Sequence, residues 1–436
     1  MELLVLGFFC ILLLICITLD ISILYALTAG WFLFALYGRK KGHVWKNLVE
    51  MSLDGIKAVK NILITFVLIG MLTAVWRAAG TVAVIVCYAV RFIWPSVFLL
   101  MAFLLNCFLS VLTGTAFGTA ATMGVICTTM ASALGVPAWM VGGAVLAGCY
   151  FGDRCSPVST SALLVSELTG TEIFRNIRNM LWSAAVPFVL ACAVYGVLGL
   201  NLGYEGELPD LQEIFKKEFC LSWIAVLPAV VLLALALRKK KVKVVMAFGI
   251  LTAIPICLFI QRMSLMTILE LLLYGYQAED MQVASMMNGG GIFSMIKVGM
   301  IVCLSSSYSG LFRGTGLLDG ICERIECIAD KTTSFGAVLL TSLVTGVIAC
   351  NQTLTIMLTH QLCGHTEKDS EKMALYLEDT AVVIAPLIPW SIAGAVPLAT
   401  IGAPPVSAVM ACFLYFLPIW GMLMATRSKY PHMMKK

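Results

Sequence analysis

Asp153 stands in the stretch Gly148-Cys-Tyr-Phe-Gly-Asp153-Arg-Cys-Ser156-Pro157-Val-Ser159-Thr160-Ser161, which sets a carboxylate, a proline and hydroxyls directly after an apolar run. Lipid tolerates such a break in a membrane helix only where it is buried in protein or lines a wet cavity. A second interruption, Tyr376-Leu-Glu378-Asp379-Thr380 continuing to Pro386-Leu-Ile-Pro389-Trp390, lies in the other half of the chain. One polar, proline-broken apolar segment in each half points to the binding site of a secondary transporter.

Each break follows a second polar segment. Leu112-Thr113-Gly-Thr115-Ala-Phe-Gly118-Thr119-Ala-Ala-Thr122 precedes Asp153, and Cys350-Asn351-Gln352-Thr353-Leu-Thr355 precedes Glu378 and Asp379. Hydroxyl, amide and carboxylate oxygens with freed backbone carbonyls are the hard ligands a sodium ion needs, and a buried carboxylate can carry a proton instead. One site of this kind can exchange the two ions. The competing role for Thr and Gly here is to let helices approach closely and bond across an interface, which weighs most on Thr119 and Thr122.

The elements that must hold these groups are helices in a bilayer. Hydrophobic residues make up 60% of the chain and charged ones 12%, and apolar runs of spanning length recur along it. The expected class is an all-α polytopic membrane protein with about 11 to 13 transmembrane helices, two inverted repeats and broken or re-entrant segments. The run from Glu2 to Tyr37 would be about 54 Å long as one helix, against a hydrocarbon core of about 30 Å, so it should fold back near Asp20. Asp20 itself reads as a helix-turn cap. Apolar helices are expected near 60 to 77, 81 to 112 with a split at Pro95, 138 to 151, 179 to 200, 220 to 237, 242 to 274 with a split at Pro255, 293 to 312, 333 to 349, 370 to 393 and 405 to 426. The amphipathic stretch Lys46 to Lys60 should lie at the interface or lead into the third span.

Net charge is +5, and its distribution carries the information. Arg39, Lys40, Lys41 and Lys46, then Arg238, Lys239, Lys240, Lys241 and Lys243, then Arg427, Lys429, Lys435 and Lys436 form three basic regions. The positive-inside rule makes them cytoplasmic, along with both termini. Glu205, Glu207, Asp210, Glu213, Glu279 and Asp280 mark outside loops. Short basic clusters at span ends do not describe a nucleic-acid surface. Without basic residues ahead of the first apolar run or a cleavage site after it, a cleaved signal peptide is not expected. The 16 cysteines show no C-x-x-C pair and read as buried small hydrophobes. His360, Cys363 and His365 read as a polar loop between spans, since their spacing does not bring all three to one helical face.

Arg77-Ala-Ala-Gly80 and Arg313-Gly-Thr-Gly316 each end a helix, and Thr115 and Asn351 follow their arginines by the same 38 residues. This parallel order suggests two distant copies. The expected division is 1–50 for an N-terminal helix pair and basic loop, 51–200 and 276–430 for the two inverted repeats, and 201–275 for connecting helices. Asp379 and Glu378 are neighbours, so one can point into the bundle while the other turns away; Asp379, followed by Thr380, is the expected inward one.

At these residues the chain resembles the NhaC family of sodium/proton antiporters. The likeness runs through Ile69-Gly-Met-Leu72 to Ala79-Gly-Thr81, Thr113-Gly-Thr-Ala-Phe-Gly-Thr119, Tyr150-Phe-Gly-Asp153-Arg-Cys-Ser-Pro-Val-Ser159, Gly289-Gly-Gly291 and Leu377-Glu-Asp-Thr380 with Pro386-Leu-Ile-Pro389-Trp390. It implies a prokaryotic plasma-membrane protein with inverted repeats that exchanges cytoplasmic sodium for protons. For some members it implies coupling to organic acids instead. One departure stands out: family members commonly carry Asp after S-P-x-S, and this chain has Thr160 there. A less acidic pocket would also suit a carboxylate-bearing metabolite held by helix N-termini and hydroxyls.

The expected function is therefore sodium or lithium exchange for protons, with organic-acid or amino-acid exchange as the alternative. The ligand set is Thr113, Thr115, Asp153, Ser156, Ser159, Thr160, Asn351, Thr353, Glu378, Asp379 and Thr380, with sodium at Asp153, Asp379 and Asn351. Asp153 and Asp379 should face one polar cavity near the membrane midplane. No cofactor, resident metal or catalytic constellation is expected. The partners are the transported ions, a small carboxylate in the alternative, and the bilayer; a homodimer is compatible with the sequence.

Overall fold

The computed structural model describes residues 2–18, 21–58, 60–89, 95–157, 159–201, 211–238, 240, 242–317, 333–349 and 351–429. Among them the regular structure is helical, apart from an isolated bridge between Tyr276 and Gly289. The first apolar run does form two helices, α1 (Glu2–Thr18) and α2 (Ile23–Lys40). The cap assigned to Asp20 lies outside the described residues, as do Glu205, Glu207, Asp210, Lys239, Lys241, Cys350, Lys435 and Lys436.

The chain continues through α3 (Trp45–Ala58), α4 (Lys60–Ala78), α5 (Thr81–Ala89), α6 (Phe98–Thr113), α7 (Ala116–Ala133), α8 (Ala138–Cys155), α9 (Thr160–Thr169) and α10 (Ile173–Asn201). It then runs through α11 (Leu227–Leu237), α12 (Val242–Phe259), α13 (Leu265–Tyr274), α14 (Met281–Met287) and α15 (Ile296–Thr315). The last part holds α16 (Ser334–Ala349), α17 (Gln352–Cys363), α18 (Ser370–Asp379), α19 (Ile392–Thr400) and α20 (Cys412–Lys429). Outward-facing apolar side chains such as Trp182, Val189, Val197 and Leu200 on α10 are exposed, which is the surface a lipid solvent requires.

Helices are shorter and more broken than the hydropathy pattern suggests. Among the described residues three helical stretches are long and apolar enough to cross a membrane: α7, α10 and Ile292–Thr315. Two bent pairs raise that to five, Leu63–Ala78 with Thr81–Tyr88 at 63° and Ser370–Leu387 with Ile392–Thr400 at 55°. Other apolar runs are cut into helices of 10–17 residues, so counting runs gave 11 to 13 crossings where helix length alone gives fewer.

At the break expected at Pro95, a short helical turn at Pro95–Val97 leads into α6, and residues 90–94 lie outside the described residues. The expected break at Pro255 is absent: α12 runs through that proline and stops at Phe259. Membrane helices absorb a proline when neighbours satisfy the freed carbonyl. What ends α12 is the turn at Arg262, whose φ of 55° is left-handed, followed by Ser264 capping α13. Sequence reading also missed α7, α9 and α17, whose Thr, Ser and other polar residues lower their hydropathy. His360 and Cys363 belong to α17 rather than to a loop, and the Cys363 sulfur is buried beside Thr341 Oγ1 at 2.9 Å. Lys46–Lys60 is mostly helix α3, and it packs on α15 with Leu48 and Ser52 buried.

Apolar side chains gather in two large cores. One joins α4 to α8 with α11 to α13 and α20; the other joins α1 and α2 with α15 to α18. Near the expected outside loops, Lys217 donates to Asp280 at 3.2 Å and holds that carboxyl below its usual range.

The crossing of α6 and α8 sets the position of Asp153. Cβ atoms built on Gly148 and Gly152 would lie 2.6 Å from Phe103 O and 2.2 Å from the Ser110 carbonyl carbon, so the two backbones touch. Ser110 Oγ also donates to the Cys149 carbonyl, and Ser156 Oγ to Val111 O at 2.7 Å. Gly152→Leu should therefore lower the thermal midpoint and folded yield of detergent-purified protein. Overpacking of this kind costs about 1–3 kcal/mol or more. Gly7→Ala, where nothing lies within 4 Å of the added carbon, should leave both unchanged.

Candidate functional site

The two interruptions share a local geometry that follows from their caps. Gly114 closes α6 in the left-handed region at φ 63°, and Thr115 then extends (φ −150°, ψ 124°) and caps α7 by accepting from Gly118 N. Asn351 extends with nearly the same angles (φ −148°, ψ 128°) and caps α17 by accepting from Thr353 N. Thr119 Oγ1 donates to Thr115 O at 2.9 Å, and Thr355 Oγ1 to Asn351 O at 2.8 Å. Further on, Ser159 caps α9 (φ −70°, ψ 137°) and Ser391 caps α19 (φ −73°, ψ 139°). Proline stands two residues before each of these serines, at Pro157 and Pro389.

Four helix starts thus come together around one cavity of about 170 Å³, lined by Thr115, Asp153, Thr160, Asn351, Gln352 and Thr353 with Tyr150, Ile392 and Ala393. Tyr150 OH donates to Ala393 O at 2.7 Å and ties α8 to the start of α19. Asp153 is buried and accepts three side-chain bonds: Ser161 Oγ at 2.5 Å, Gln352 Nε2 at 3.1 Å and Ser159 Oγ at 3.2 Å. Gln352 also donates to Val382 O at 3.1 Å, so it bridges the carboxylate to the segment after the second break. Sequence reading passed over Gln352 and Ser161; their position one residue beyond Asn351 and Thr160 was the available signal.

The remaining expected ligands go elsewhere. Thr113 Oγ1 meets Thr119 Oγ1 at 3.1 Å beside a small pocket that Thr115 also lines. Ser156 holds the α6 backbone. Thr119 and Thr122 bond back to carbonyls of their own helix turn, where α7 loosens into a π-helical turn over Ala120–Gly124, a feature frequent at functional positions. Thr380 Oγ1 donates to Tyr376 O at 2.6 Å and accepts from Ser342 Oγ at 2.9 Å, pinning the break where α18 ends.

Asp379 does not share the cavity with Asp153, contrary to the expectation for it. Arg154, fully buried, takes it as counter-ion: Nη2 bonds Asp379 Oδ1 directly, and Ser183 Oγ adds a contact to the same oxygen at 3.2 Å. Arg154 also donates to Met180 O at 3.0 Å and Ser183 Oγ at 2.8 Å. The guanidinium cannot lose its proton, and at full burial Asp379 compensates its charge. Glu378, the neighbour expected to turn away, is 0% exposed, and neither carboxylate oxygen has a hydrogen-bond partner among the described residues. Among the described residues no His, Cys, Asp or Glu group gathers as a metal site.

Breaking the ion pair should be worse than removing it. Arg154→Gln strands the Asp379 charge and should cost about 3–5 kcal/mol, whereas replacing both partners by apolar groups, Arg154→Met with Asp379→Leu, should recover most of that loss. Thermal midpoints of the two purified variants against wild type decide the matter.

The model of the Na+/H+ antiporter family matches residues 148–426, which contain Asp153, Asn351 and the second break. The chain is 28% identical to the malate-2H(+)/Na(+)-lactate antiporter of Bacillus subtilis over 92% of its own length and 88% of the relative's. It is 27% identical to the Na(+)/H(+) antiporter NhaC of Alkalihalophilus pseudofirmus, covering 88% and 85%. The arginine/ornithine antiporter ArcD of Halobacterium salinarum is 27% identical, with 88% and 82% covered. A match over this much of the chain, through both polar breaks, makes the protein a membrane transporter that belongs to the Na+/H+ antiporter family.

Proposed function

We propose that this protein exchanges sodium or lithium for protons by alternating access, with Asp153 as the carboxylate that holds either ion. The observation that carries the reading is the cavity between the two breaks, where Asp153 is the one carboxylate among the lining residues and faces Thr115, Thr160, Asn351 and Thr353. A carboxylate with hydroxyl and amide oxygens around it offers the hard donors a small alkali cation takes, and the same oxygen can take a proton when the cation leaves. The matched caps at Thr115 and Asn351, and at Ser159 and Ser391, support an inverted-repeat ancestry for residues 51–200 and 276–430. A prokaryotic plasma membrane with sodium leaving the cytoplasm is the setting this reading entails.

A second reading is favoured by the four helix starts at the cavity. The dipoles of α7, α9, α17 and α19 place positive helix ends at the cavity and favour a negatively charged ligand, so a small carboxylate could enter beside the cation. Thr160→Asp discriminates. In a cation site the added charge should strengthen sodium binding, whereas in an anion site it should suppress carboxylate uptake. Two unit charges about 4 Å apart interact by about 4 kcal/mol at an effective dielectric of 20, more than a lost hydroxyl contact.

Proteoliposomes under an imposed pH gradient test both readings. Wild-type protein should release protons on addition of sodium or lithium, with an apparent cation affinity that weakens as pH falls, and Asp153→Asn should abolish the exchange. Exchange by Asp153→Asn at the wild-type rate would remove Asp153 from the mechanism. Uptake of malate, lactate or an amino acid without cation-driven proton flux would establish the second reading in place of the first.

A further inference from the structure

We propose that Glu378 is a second proton-carrying group, separate from the cation cavity and loaded with a proton in the conformation described here. The inference rests on the antiport reading for its place in the cycle but on independent geometry for its chemistry.

The geometry is one of unequal provision among three acids. Asp153 receives three side-chain donors at the cavity, and Asp379 receives the Arg154 guanidinium and Ser183. Glu378 is as deeply buried as either and receives no donor among the described residues. It does not line the cavity. The charged groups that face it are Arg154 and Asp153 on α8 and Asp379 on its own helix, with the Cys155 thiol also in range. The other helices packed on α18, namely α9, α10, α16, α17 and α20, bring no further charge near it among the described residues.

An ionised carboxylate in that position would stand in low dielectric without a hydrogen-bond donor among the described residues, repelled by Asp153 and Asp379, while the Arg154 charge that attracts it is already bonded to Asp379. The neutral acid removes both the desolvation penalty and the repulsion. Asp379 and Glu378 lie near one guanidinium and Asp379 takes its bond, so Glu378 needs a proton, while Asp153 at the cavity needs a cation or proton of its own.

The location suits release as well as storage. Glu378 lies two residues before the break at Thr380, whose φ of −125° and ψ of −79° interrupt the helix. Arg154 Nε is also without a partner among the described residues. When the Glu378 O–H bond breaks, the proton passes to water, the electron pair stays on the carboxylate, and Arg154 Nε–H is an unused donor on the cation it faces. In the direction of sodium export, protonation of both Asp153 and Glu378 brings two protons in for each sodium leaving. The cycle then moves net charge.

Two measurements test this, and they separate the inference from the antiport reading. Infrared spectra of purified wild-type protein at neutral pH should contain a protonated-carboxyl band that shifts on labelling glutamate with carbon-13 and is missing from Glu378→Gln. This readout needs no cargo and, in the labelled wild type, no variant. Its absence at neutral pH overturns the proposal even if sodium exchange is found. Its presence supports a protonated glutamate whatever the cargo. The second measurement is the proton-to-sodium ratio from reversal potentials in proteoliposomes. Wild type should give two and respond to membrane potential, and Glu378→Gln should give one and lose that response. A ratio and voltage response unchanged in Glu378→Gln would overturn the role in transport. Loss of all exchange in Asp153→Asn, by contrast, bears only on the cavity.

Discussion

The fully buried guanidinium of Arg154 organises the charge of this protein. It stays protonated under any ordinary condition, so it must be matched, and the helices around it are arranged to match it. Asp379 supplies the charge, Met180 and Ser183 accept further bonds, and α8, α10 and α18 are thereby joined at one point. The assignment then propagates. With Asp379 committed, Asp153 must be served by neutral donors from α9 and α17, and Glu378 by none at all. Each acid has a different electrostatic task because one cation can satisfy only one of them well.

Much of the polar architecture was legible in the sequence because breaking a membrane helix demands visible residues. Glycine, proline and hydroxyl residues mark both interruptions, and the equal spacing from Arg77 to Thr115 and from Arg313 to Asn351 foreshadows two caps with nearly the same backbone angles. Composition alone indicated an all-helical membrane protein.

What stayed hidden depends on side-chain direction and on long-range partners. Choosing Asp379 over Glu378 as the cavity carboxylate followed helical periodicity, but the deciding contact comes from Arg154, 225 residues earlier. No local pattern encodes that pairing. Pro255 misled for a related reason: a proline inside a bilayer helix signals a break only if nothing nearby takes over its lost hydrogen bond. The helices at α7, α9 and α17 escaped notice because residues that build a wet cavity are those that lower hydropathy. The loss of signal and the presence of the site share one cause.

The close approach of α6 and α8 has a mechanical meaning. Where Gly148 and Gly152 bring backbone against backbone, with Ser110 and Ser156 bonding across, no layer of rotatable side chains remains to shear. Packed surfaces of this kind move as one body. Asp153 therefore rides on a stiff jaw made of these two helices. Across the cavity, Gln352 and the start of α19 meet it through hydrogen bonds at side-chain tips, from Gln352 Nε2 to Asp153 and from Tyr150 OH to Ala393 O, while beyond α19 the chain closes on Gly142 and Gly143 of α8. Bonds at the ends of flexible arms can be remade with water at little cost, so the cavity wall around Gln352 is softer than the wall that carries Asp153.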